Sequence, residues 1–152
     1  MWRSVLSVVA GFVVAAIVVG LLEAVSHQLF PPPAGINLHD PEQLKTIIDK
    51  LPPGAIVMVL VAWAVGSLAG GFVAALSANR NRLAHAGVVG CLQMLAGGIT
   101  MLMIRHPTWF VIAAFLIVVP SALLGALLAT LTLRSPPTGP RPYDMRQKNM
   151  AC

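Results

Sequence analysis

Charge is what this chain has least of. Asp, Glu, Lys and Arg make up 10% of its residues, where soluble domains carry about 25%. Together with 57% hydrophobic residues over 152 positions and a mean hydropathy of +0.83, that scarcity excludes a soluble globular fold and points to a chain built for a bilayer. Acids are the rarer sign, 5 against 10 Lys and Arg. The resulting net charge of +5 does not indicate a nucleic-acid partner, because the basic residues flank apolar runs. There, topology and attraction to anionic lipid headgroups account for them at about 1 kcal/mol each. Cysteine is nearly missing too. Cys91 and Cys152 form no disulfide framework and no Cys-x-x-Cys for thiol or zinc chemistry, and the last residues are not a prenylation box. A Gly-rich phosphate loop, a His-Glu-x-x-His and a Gly-x-Ser-x-Gly are all missing. These absences nominate no catalytic residue and no cofactor, and they lean against an enzyme.

What is present is apolar length. Uncharged runs cover Ser4 to Leu22, Leu51 to Asn79, Leu83 to Ile104 and His106 to Leu133, and about 20 apolar residues cross a ~30 Å hydrocarbon core as a helix. Helices are expected at about 4–30, 55–78, 83–104 and 108–133. Pro31 to Pro33 stop the first, Pro52-Pro53-Gly54 opens the second, and turns at Asn79 to Arg82 and Arg105-His106-Pro107 divide the rest. The runs do not alternate apolar and polar residues as barrel strands do. Trp2-Arg3, an apolar core and Ala24-Val25-Ser26 outline a signal peptide, but a core from Val5 to Leu22 exceeds the usual ~7 to 15 residues. The expected fold is an all-α integral membrane protein, a compact bundle of four transmembrane helices.

Seven of the ten Lys and Arg (Arg3, Arg80, Arg82, Arg134, Arg141, Arg146, Lys148) fall on the side shared by both termini, against Lys45, Lys50 and Arg105 on the other. Both termini are therefore expected in the cytoplasm of a cell whose inner (plasma) membrane holds the chain. Between spans one and two, Asp40-Pro41-Glu42-Gln43 has N-cap chemistry and Leu44, Ile47, Ile48 and Leu51 recur at helical spacing. A short amphipathic interfacial helix at about 41–50 follows. The four-span domain ends near residue 134, and residues 135–152, basic and rich in Pro, form a flexible cytoplasmic tail.

Ionisable groups inside apolar spans are expensive and tend to be functional. Glu23 and His27 lie one helical turn apart, and the Arg105-His106 turn falls on the same outer side. A candidate outer-leaflet polar site therefore comprises Glu23, His27, Arg105 and His106, with His39 near. Carboxylate and neutral imidazole both ligate metals, which makes Glu23, His27 and His106 weak metal candidates. In the third span His85, Gln93 and Thr100 form a candidate polar stripe at 3.6-residue periodicity, with Gln93 near the middle. Small residues at three- and four-residue spacing mark helix contacts in lipid. Ala16 and Gly20 are read as the seam of the first span, and Gly66, Gly70, Gly71 and Gly125 as packing positions of the second and fourth. Pro120 kinks the fourth span.

The expected function is a binding, structural or accessory module that packs with itself or with a partner membrane protein. The alternative is a small oligomeric transporter or channel using Glu23 and His27 as a proton or cation site. A third is a membrane enzyme or metalloprotein centred on the outer cluster.

Overall fold

The computed structural model describes residues 2–31, 52–103 and 107–134. All of the regular structure among them is helical: α1 (Trp2–Leu29), α2 (Pro53–Ser77), α3 (Arg82–Met103) and α4 (Thr108–Arg134). Each of the four is long and apolar enough to cross a membrane. The interfacial helix expected at 41–50, the tail at 135–152, and Arg105 and His106 lie outside the described residues.

The boundaries follow from local chemistry. α1 stops two residues before Pro31, whose missing N–H cannot continue the ladder. α2 begins at Pro53, two residues earlier than expected, because proline at the first helical position sacrifices no hydrogen bond. α2 closes on an Ala78 N–H to Ala74 carbonyl bond of 3.0 Å. α3 then starts after Asn81, whose φ of 51° is the left-handed conformation that asparagine tolerates well.

Helix α2 is the hub. It packs against α1 on one side and α4 on the other, while α3 lies across it, more against α4 than against α1. Glycine lets the neighbours come close. A Cβ on Gly70 would lie 2.6 Å from the Gly11 carbonyl oxygen and 2.8 Å from the Ala15 Cβ, so α1 and α2 cross nearly backbone to backbone. On the opposite side of α2, Gly71 meets the Ala122 backbone and Gly125 of α4 meets the Leu68 carbonyl. Gly11 with Gly70 and Ala15 with Gly66 run in opposite directions along α1 and α2, whereas Ala62 and Trp63 cluster with Phe110 and Ala114, and Ala75 with Ala126 and Ala129, in the same direction along α2 and α4, so the hub has one antiparallel and one parallel neighbour. At its start α2 is tied to the end of α1 by the Phe30 ring, which lies over Gly54.

The buried interior has two layers. One gathers Ala62, Trp63, Met94, Phe110, Ala114 and Val118, and the other Ala75, Ala86, Ala126 and Ala129. Trp63 meets Phe110 edge to face at 5.8 Å between ring centroids. Most large apolar side chains instead face outward: Val5, Val9, Val13, Ile17 and Leu21 on α1, Leu95, Ile99 and Leu102 on α3, Ile112 and Leu116 on α4. Small residues inside and large ones outside is the inverse of a soluble core, and it suits helices packed by close approach in an apolar solvent.

Candidate functional site

Between α1 and α3, the most sparsely packed of the helix pairs in substantial contact, runs a groove of about 320 Å³. One wall is a single stripe of α1 at helical spacing, from Phe12 through Val19 and Gly20 to Glu23. The other is a stripe of α3, from Gln93 through Gly97 to Thr100, and the floor is Trp63 of α2. The Trp63 ring seats against Gly97, where a Cβ would approach it to 2.5 Å. A side chain at position 97 would push the indole out of the floor.

Glycine shapes the rim as well. A Cβ on Gly20 would meet nothing within 4 Å, so that edge of α1 opens freely into the groove. The packing seam of α1 is therefore not Ala16 and Gly20, as their spacing implies, but the neighbouring face with Gly11 and Ala15. Both faces carry small residues one turn apart, and only the position of α2 decides which is the contact.

Three polar side chains face this space. Gln93 is 8% exposed, yet its amide makes no hydrogen bond to any described residue. Its Nε2 lies 3.5 Å from where a Gly66 Cβ would be, and the same point is 2.5 Å from Val19 Cγ2. The amide thus sits level with Val19, and Glu23 lies one turn further on, about 6 Å at 1.5 Å per residue. Glu23, half-buried, is the only Asp or Glu among the described residues, and no described residue forms an ion pair with it. Arg3, Arg80 and Arg82 stand at the opposite end of the helices. Thr100 donates its hydroxyl to the Ala96 carbonyl at 3.3 Å, leaving oxygen lone pairs towards the groove.

Other sequence candidates are distributed differently. His27, one turn beyond Glu23, is exposed and forms no part of the groove walls. His85 belongs to the far end of α3, where its Nδ1 lies 3.0 Å from the Asn81 carbonyl oxygen and it lines a separate apolar recess with Val5 and Val9. The polar stripe of α3 is split accordingly: Gln93 and Thr100 join Glu23, and His85 does not. Among the described residues no three His, Cys, Asp or Glu side chains come together. Gly66, Gly70, Gly71 and Gly125 all stand at helix crossings.

No family model, curated protein or solved structure matches this chain. Among the described residues the groove offers one carboxylate, one amide with donor and acceptor, one hydroxyl oxygen and an aromatic floor. The residue that sequence reasoning left out is Trp63. Its signal was positional, since Trp2 and Trp109 fall at helix ends while Trp63 falls well inside α2.

Proposed function

We propose that this chain is a multi-pass protein of the cell's inner (plasma) membrane, with both termini cytoplasmic, that works as a binding module rather than an enzyme. Its groove between α1 and α3 takes a small, partly apolar ligand from the lipid phase. The carrying observation is that the half-buried Glu23 carboxylate and the amide of Gln93, a residue 8% exposed, face one space, neither with a partner among the described residues. Polar groups shielded from water cost about 1–3 kcal/mol each when left unbonded, and a ligand that bonds them recovers that cost. Membrane placement is supported by four long apolar helices and by their large outward-facing aliphatic residues, and orientation by the Lys and Arg bias.

The chain has 3 Trp, so Trp2→Phe with Trp109→Phe leaves Trp63 as the sole tryptophan. In detergent micelles, 12-bromododecanol should then quench Trp63 saturably, and Gly20→Leu, which fills the open rim, should abolish the saturable part. Equal quenching in the Gly20→Leu protein would overturn the groove as a binding site.

A coupled carrier is a second reading, and Glu23 favours it, since a lone carboxylate in an apolar groove is what proton or cation coupling uses. It requires flux into vesicles reconstituted with the protein, and loss of that flux in Glu23→Gln.

A further inference from the structure

Resting on the groove as a ligand site, we infer that its ligand is a monocationic amphiphile: an ammonium or other cationic head against Glu23, and an apolar body lying inward along α1. Charge complementarity is the first ground. Glu23 is the only acid among the described residues, no described residue neutralises it, and the walls beside it are apolar side chains of α1 and the Trp63 indole. A carboxylate in such surroundings is strongly favoured by a cation that arrives without competing water.

The second ground is independent of charge. The amide of Gln93, a residue 8% exposed, has no partner among the described residues and lies level with Val19, about 6 Å inward of Glu23 by helical rise. It supplies a donor and an acceptor to a hydroxyl, amide or carbonyl on the ligand at that depth. Beyond it the wall continues to Phe12, where nothing polar is offered and only an apolar chain fits. Head, linking polar group and tail are thus matched in order along one groove.

The arrangement also separates this ligand from ordinary phospholipid. A zwitterionic headgroup brings a phosphate close behind its ammonium, and that phosphate would sit beside the Glu23 carboxylate with no described cation near. Like charges at such a distance repel. A single positive charge without an attached anion does not meet this opposition.

The test uses the full chain with Trp63 as sole tryptophan. 12-Bromododecylammonium should quench Trp63 at a concentration at least tenfold below that needed with 12-bromododecanol of the same chain length. Glu23→Gln, which keeps size and removes charge, should erase the difference while quenching by the alcohol persists. If the alcohol quenches saturably but the ammonium has no advantage, or keeps its advantage in Glu23→Gln, the cationic ligand is refuted and the groove survives. If neither compound quenches saturably, the groove itself has failed. Phosphatidylethanolamine in nanodiscs should not displace the ammonium probe, and displacement would assign the site to a lipid headgroup instead. Loss of quenching on concentrating the protein to a cross-linkable dimer would assign the groove to a second copy of the chain.

Discussion

At the scale of single residues, two buried polar groups stand apart from their surroundings. Ser67 Oγ is fully buried and has no hydrogen-bond partner among the described residues, although a serine in an apolar helix ordinarily bonds a carbonyl one turn back. Ser67→Ala is therefore expected to leave stability unchanged or raise it by about 1 kcal/mol, read as the unfolding midpoint of the protein in detergent. Gln93 behaves differently because it faces open space. Gln93→Leu should raise the stability of the empty protein by about 1–3 kcal/mol, since an unbonded amide is replaced by an apolar chain. It should also weaken quenching of Trp63 by amphiphiles that carry a hydroxyl or amide near the head. A fall in both stability and binding would mean that Gln93 is a packing residue. Glu23 and Gln93 were each visible in the sequence as polar residues in apolar runs. That they face one groove was not visible, because helical periodicity places a residue on a face of its own helix and says nothing of which neighbour lies opposite. Gly11 and Gly20 make the same point, one pressed against α2 and the other open, with similar small-residue spacing around both.

At the scale of helices, the crossings of α2 with α4 rest on backbone proximity. Gly71 and Gly125 each point at main chain of the partner helix, which cannot move aside as a flexible side chain can. Gly71→Leu or Gly125→Leu should cost about 3 kcal/mol or more, at or beyond the usual range for overpacking. Aggregation or loss of a monodisperse peak on size-exclusion chromatography is the expected sign. Gly98→Leu is the control, since a Cβ there meets nothing within 4 Å, and it should elute as the parent does. If all three behave alike, the crossings contribute little. Helix positions were largely legible beforehand, to within two residues at each described end. Prolines and short polar turns set those ends through the missing N–H and the fixed φ, which are local effects. The hub role of α2 was not legible, because every helix offers small residues and length gives no rank among them.

For the whole molecule, the distribution of Lys and Arg predicts sidedness. Cys152 should resist a membrane-impermeant maleimide in intact cells and react once the membrane is opened, whereas a cysteine placed at Lys45 should react from outside without permeabilisation. Labelling of Cys152 in intact cells would reverse or break the proposed topology. The sequence carries this expectation through simple charge counting, while the small-inside, large-outside layering emerges only when the helices are assembled.

The parallel contact between α2 and α4 also constrains the order of assembly. α1 and α2 are consecutive and antiparallel, so their Gly11–Gly70 crossing forms between neighbours in the chain as soon as both are made. The Gly71 and Gly125 crossings instead join helices separated by all of α3, and two parallel neighbours cannot be linked by a short turn. α3 has to reverse the chain before α4 can reach its place, which makes that contact the last major one available during synthesis. A nascent chain ending after α2 should therefore hold a compact hairpin, whereas one ending after α3 still shows the far side of the hub bare.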